Sequence, residues 1–110
     1  MLKILDKTAS VANHFLYELR HKDIQKDRAK FRNNLKKLGQ VMAYELSKEL
    51  EFKEKEVTTS LSSATIKLVH DSPVLVTIMR AAMPFFEGVL DYFDQSDVAF
   101  IGEYRTEGKE

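Results

Sequence analysis

The stretch that decides the fold is Val74 to Ile101, VLVTIMRAAMPFFEGVLDYFDQSDVAFI. Val74-Leu75-Val76-Thr77-Ile78-Met79 is an unbroken run of β-branched and aliphatic residues. Such a run is what a strand buried on both faces needs, because neither side requires polar alternation. Arg80 ends it, and Ala81-Ala82-Met83 leads into Pro84, whose fixed φ and missing N–H suit the first turn of a helix. Phe85, Val89 and Phe93 then recur at the four-residue spacing of one helical face. After the turn Asp94-Gln95-Ser96-Asp97, a second apolar strand runs from Val98 to Ile101. The unit reads as βαβ, with parallel strands because a helix carries the chain back.

This topology gives two cations a meaning. Ligands of open α/β sheets sit beyond the carboxyl ends of the strands, where a helix N-terminus also offers free N–H groups to an anion. Arg80 follows the first strand and Arg105 follows the second, after Ile101-Gly102-Glu103-Tyr104. A phosphorylated ligand fits that pair; two ordinary solvated arginines at strand ends is the competing reading.

Upstream, Ser10 is placed to cap a first helix running to about Arg20, with Val11, Phe15, Leu16 and Leu19 on one face. The polar stretch Asp23 to Asp27 is suited to capping a second, longer helix, in which Phe31, Leu35, Leu38, Met42, Leu46 and Leu50 step by three or four. Residues 1–9 read as an extended lead-in. Glu51 to Glu56, EFKEKE, is a charge run and reads as an exposed linker. Glu56 to Leu61 and Ala64 to Val69 read as a hairpin around Ser62-Ser63.

The chain of 110 residues fits one small domain, divided into a helical part (1–50), a linker and hairpin arm (51–73) and the core βαβ unit (74–105). Seventeen basic residues balance seventeen acidic ones, so no overall field draws the chain to nucleic acid or to an anionic membrane. The absence of Cys excludes a disulfide framework and a thiolate metal site. No apolar stretch approaches a membrane span or a signal-peptide core, which points to a cytoplasmic protein. His14, His21 and His70 show no metal-ligand spacing, and Phe85, Phe86, Tyr92 and Phe93 read as core.

TIMRAAMPFFEGVLDYF resembles the segment of the uracil phosphoribosyltransferases written Ile-Leu-Arg-Ala-Gly followed by a helix with a Gly-Val-Leu core. IGEYR is similar to that family's second arginine motif, Gly-x-Tyr-Arg. LRHKDIQKDRAKFRNNLKKLGQVMAYELSKEL resembles its N-terminal pattern of Leu-Arg, Phe-Arg and Tyr-Glu pairs, here at Arg20, Arg32 and Tyr44-Glu45. The resemblance implies a phosphoribosyltransferase-like parallel-sheet α/β fold, incomplete, with N-terminal helices and a β-hairpin arm used in dimer contacts. It implies transfer of the ribose 5-phosphate of phosphoribosyl pyrophosphate to uracil, giving uridine monophosphate in pyrimidine salvage, with Mg2+ on the pyrophosphate. In that reading Arg80, Ala81, Ala82 and Arg105 bind phosphoribosyl pyrophosphate, no residue of the chain is a catalytic acid or base, and the partners are a second copy and a regulatory GTP. Tyr44-Glu45 reads as packing and hydrogen bonding within the helical layer.

Two departures qualify the expectation. Ala82 stands where the family has glycine, and a Cβ there changes how closely the backbone approaches a ligand. The acidic pair and the Thr-Gly-Gly-like loop that holds the ribose 5-phosphate have no counterpart, since the four glycines are far apart. The chain therefore resembles the family's N-terminal half and is expected to be inactive alone, with Val74 to Val76 and Val98 to Ile101 exposing apolar surface. The alternative is an inactive truncated homologue acting as a dimerisation or binding module. A generic nucleotide-binding domain is disfavoured because no Gly-rich turn follows either strand.

Overall fold

The computed structural model describes residues 5–79 and 83–102, with Ile78 and Met79 described by their backbone alone. Three helices and two separate two-stranded sheets make up this part: α1 (Ala12–Arg20), α2 (Arg28–Ser47), β1 (Phe52–Thr58), β2 (Ser63–Val69), β3 (Leu75–Met79), α3 (Met83–Tyr92) and β4 (Val98–Gly102). The fold class is α/β, as the βαβ pattern requires. No helix among the described residues is long and apolar enough to cross a membrane.

β3 and β4 pair in parallel, with Leu75 opposite Val98, Thr77 opposite Phe100 and Met79 opposite Gly102. Alternation then sends Leu75 and Thr77 to one face, where they are buried, and Val74 and Val76 to the other, where they are not. α3 covers the first face. Phe86 and Phe93 are buried there with Leu75 and with Ala43 of α2, and the Phe86 ring meets Phe100 edge-on at 5.9 Å. The expected stripe Phe85, Val89 and Phe93 is thus rotated towards Phe86, while Tyr92, expected in the core, is 56% exposed.

α2 lies on α3, and what brings them together is small residues. A Cβ added to Gly39 would overlap the Phe85 carbonyl oxygen, and one added to Gly88 would overlap the Lys36 carbonyl oxygen. Backbone therefore packs on backbone at this crossing, closer than helices separated by larger side chains. The buried line of α2 is Asn34, Leu38, Gly39 and Ala43. Met42 and Leu46, expected on the core stripe, are 42% and 51% exposed, because the close crossing turns their side of the helix outward. Asp91 of α3 fastens the outside of the crossing, accepting from the Gln40 amide at 2.7 Å and pairing with Lys36 at 3.9 Å.

The N-terminal part follows the sequence reading closely. The N-cap position of α1 is held by Val11 with no side-chain capping bond, and Ser10, one residue earlier, accepts from the Ala12 N–H through Oγ at 3.2 Å; Asp27 caps α2 by accepting from the Lys30 N–H at 3.1 Å. The extended lead-in is corrected in part, since Leu5–Lys7 forms a 3₁₀ turn. α1 is tied to α2 by Asn34, whose amide donates to Glu18 at 2.9 Å, and by Lys30, which approaches the same carboxylate at 3.7 Å.

The hairpin differs most from expectation. Phe52–Thr58 pairs antiparallel with Ser63–Val69, so five residues of the supposed linker, Phe52 to Glu56, are strand. Every β1 residue is exposed. Charges on both faces therefore cost nothing, and the period-2 signature of a half-buried strand is missing. Glu54 stands opposite Lys67 and Phe52 opposite Val69, pairs that favour this register. The turn is Thr59 to Ser62: the Thr59 hydroxyl donates to the Ser62 carbonyl at 2.7 Å and accepts from the Leu61 and Ser62 N–H groups. The hairpin has no extensive packing against the helices or the β3–β4 pair.

Candidate functional site

The residues to which the sequence assigns a phosphorylated ligand, Arg80, Ala81, Ala82 and Arg105, lie outside the described residues. The described backbone fixes their attachment points. β3 ends at Met79, one residue before Arg80, and Met79 is the register partner of Gly102, where β4 ends. α3 begins at Met83, with only three residues between it and the end of β3. Two strand carboxyl ends and the start of a helix thus converge at one end of the parallel pair, the location at which open α/β sheets take ligands. At such a position a helix start supplies N–H donors and the positive end of its dipole, and no acidic residue stands in the first turn of α3 to oppose an anion.

What holds this end in place is largely remote from it. Thr77 and Leu75 are buried against α3, and the Gly39–Gly88 crossing sets how α3 lies on the helical layer behind it. Sequence periodicity missed this contribution. Glycine carries no weight in a hydrophobic pattern, and the close crossing appears only when two distant segments are brought together.

The other candidates fall away from the strand ends. His21 Nδ1 accepts from the Asp23 and Ile24 N–H groups at 3.1 and 3.3 Å and so acts as a local cap after α1. His14 is exposed, and His70 approaches Asp71 at 3.6 Å on the surface. Among the described residues no group of three or more His, Cys, Asp or Glu is placed to hold a metal ion. Arg20 pairs with Asp6 at 3.8 Å, and Arg32 is exposed. Tyr44 is 57% exposed, not packed into the layer as the sequence suggested. Lys48 lies over its ring at 4.9 Å and also pairs with Glu45 at 3.3 Å, so the Tyr44-Glu45 pair is engaged at the surface. An open cleft of about 490 Å³ beside α1 is lined by Asp6, Asn13, Leu16, Tyr17, Arg20 and His21, none of them at the strand ends.

Helices packed on one face of a parallel βαβ unit, with its open end bounded by two strand termini and a helix start, define a partial α/β domain with the ligand end at the strand carboxyl termini. The structure of the AQ2163 protein from Aquifex aeolicus is similar over 92% of this chain and 48% of that one, with a TM-score of 0.74 and 30% identity. A uracil phosphoribosyltransferase from Porphyromonas gingivalis is 45% identical over 96 residues, 87% of this chain and 44% of the relative. One from Pyrococcus furiosus is 38% identical over 92 residues, 82% of this chain and 39% of the relative. The sequence profile of the uracil phosphoribosyltransferases matches residues 7–110, and the chain belongs to that family. It spans less than half the length of these relatives.

Proposed function

We propose that the chain is the phosphoribosyl pyrophosphate-binding part of a uracil phosphoribosyltransferase, contributing to the formation of uridine monophosphate and pyrophosphate from uracil and phosphoribosyl pyrophosphate. The observation that supports it is the family match over residues 7–110, which includes both arginine motifs. Arg80 and Arg105 would engage the pyrophosphate. A guanidinium fork matches phosphate oxygens two at a time and keeps its charge at every physiological pH, which suits groups that must hold an anion and exchange no proton. Ala81 and Ala82 complete the short segment between β3 and α3.

The reaction breaks the bond from the ribose anomeric carbon to pyrophosphate and the N–H bond of the attacking uracil nitrogen, joins that nitrogen to the carbon, and releases pyrophosphate and the proton, through a centre with oxocarbenium character. Positive charge builds on the sugar as negative charge builds on the leaving group. The contribution of Arg80 is therefore to orient the pyrophosphate and stabilise its departing charge. Mg2+ would arrive on the pyrophosphate oxygens and supply further charge neutralisation there. Activity requires the ribose-phosphate loop and the uracil pocket, which belong to the family's other half, so the 110-residue chain alone is inactive in this reading. Function in the cytoplasm, self-association and regulation by GTP belong to the same proposal.

The test is a chimaera joining this chain to the part of the Porphyromonas gingivalis relative that lies beyond the matched segment. Formation of uridine monophosphate with equimolar pyrophosphate supports the reading. A folded chimaera that forms none overturns it and favours a non-catalytic binding module.

A further inference from the structure

The helical part of the chain holds a cleft that the strand-end site does not use. It opens beside α1, encloses about 490 Å³, and has a polar mouth made by Asp6, Asn13, Tyr17, Arg20 and His21. A second hollow of about 240 Å³ adjoins it, with Leu5, Leu38, Met42 and Phe85 as its apolar floor. The two share Asp6, Leu16 and Arg20 as a common wall. This is the size of a small-molecule site, and its division into a charged mouth and an apolar end suits a ligand divided in the same way.

The charges at the mouth select the head of that ligand. Arg20 and Asp6 approach only to 3.8 Å, with side chains 71% and 40% exposed. So long and so exposed a pair contributes little by itself, and a ligand carrying both signs can part it at small cost. A carboxylate would go to the Arg20 guanidinium, joined by His21, whose Nδ1 accepts two backbone N–H groups and which therefore carries its ring proton on Nε2. An ammonium would go to Asp6. It also answers a gap in the wall, because Asn13 Oδ1 is buried with no hydrogen-bond partner among the described residues, an arrangement that calls for a donor. Beyond the head, Met42 is 42% exposed although its neighbour in the floor, Leu38, is buried. An apolar side chain entering there would cover it.

We infer that this cleft binds a free α-amino acid with a large apolar side chain, of the leucine, methionine or phenylalanine type. The ammonium lies at Asp6 and Asn13, the carboxylate at Arg20 and His21, and the side chain among Leu38, Met42 and Phe85. The site is independent of the arginine roles at the strand ends and of the family reaction. Phe85 is the third residue of α3, so the floor of the cleft belongs in part to the helix that starts at those strand ends.

The experiment titrates the 110-residue chain with L-leucine, L-methionine and L-phenylalanine and follows its nitrogen–proton NMR spectrum. Saturable one-to-one shifts are expected at Asn13, Leu16, Arg20 and Met42. The amine and the carboxylic acid made by deleting one charged group of leucine are each expected to bind at least about tenfold more weakly, since each forfeits charge-assisted hydrogen bonds. L-Alanine, which leaves the apolar hollow empty, is expected to fall by a similar factor. D6N and R20Q alter exposed side chains and are expected to keep the helix content and melting of the chain while weakening leucine about tenfold each, with R20K recovering part of the loss. The ligand series needs no variant, so it decides the matter even where a substitution disturbs folding. No saturable shift up to the solubility limit of any of the three amino acids, singly charged analogues that bind as well as leucine, folded D6N and R20Q chains that bind it unchanged, or displacement of the amino acid by GTP or uridine monophosphate would each overturn the inference.

Discussion

Replacing Gly88 by alanine sets two physical terms of opposite sign against each other. Alanine is the better helix former by about 1 kcal/mol, so at an exposed site the change stabilises. Here the new Cβ meets the Lys36 carbonyl oxygen, with the Lys36 carbonyl carbon at 2.9 Å and the Gln40 nitrogen at 3.0 Å. These are backbone atoms of α2 and cannot rotate away, so the helices must separate. Separation strips contacts from Ala43, Phe86 and Phe93, which make up much of the small core. Overpacking costs about 1–3 kcal/mol and lies at the upper end when backbone is the obstacle. The net loss after the propensity gain is about 2 kcal/mol. For a domain of this size that lowers the melting temperature by roughly 8–16 °C. The assay is thermal unfolding followed by far-ultraviolet circular dichroism, with G102A as the internal control, because nothing lies within 4 Å of a Cβ at Gly102. G88A melting at or above the parent, with G102A unchanged, would show that the close crossing does not exist and that α3 sits differently on the helical layer.

Three further outcomes follow from named contacts. D27A removes the acceptor for the Lys30 N–H and is expected to cost about 1 kcal/mol, seen as a lower urea midpoint with unchanged slope. Glu18 is held below the ordinary glutamate value of 4.5 by the Asn34 amide first, with burial opposing and Lys30 assisting. Its contribution is present above pH 4.5 and is lost as pH falls through the depressed folded value, so E18Q should flatten the acid side of the stability–pH curve and leave its shape near neutrality unchanged. In the chimaera, A82G restores the glycine of the family pattern and is expected to raise kcat/KM for phosphoribosyl pyrophosphate by up to about tenfold if that turn needs glycine geometry; an unchanged or lower value argues that alanine is at home there.

The βαβ unit was legible because its signals are local: an apolar run, a proline at a helix start, a polar turn and a second run, each complete within a few residues. The cap at Asp27 was legible for the same reason. β1 was hidden by Lys53, Glu54, Lys55 and Glu56, since a strand exposed on both faces has no burial to imprint on its sequence. The core line of α2 was misjudged because periodicity weights Met42 and Leu46 and ignores Gly39 and Ala43, whose value is in having almost no side chain. Of the candidate site, strand-end position and family motif singled out Arg80 and Arg105, which lie outside the described residues. The part played by Gly88 and Thr77 in carrying that end of the sheet emerged only from the packing.

The central claim is that Arg80 holds the pyrophosphate, and the most direct measurement is steady-state kinetics of R80A in the chimaera with phosphoribosyl pyrophosphate varied at saturating uracil. Removing charge-assisted hydrogen bonds worth about 1.5–3 kcal/mol lowers kcat/KM for phosphoribosyl pyrophosphate by roughly 10–150-fold, with the KM for uracil little changed and R80K recovering only part of the loss. An R80A enzyme that keeps its parent kcat/KM for phosphoribosyl pyrophosphate, or one that loses uracil binding instead, contradicts the account.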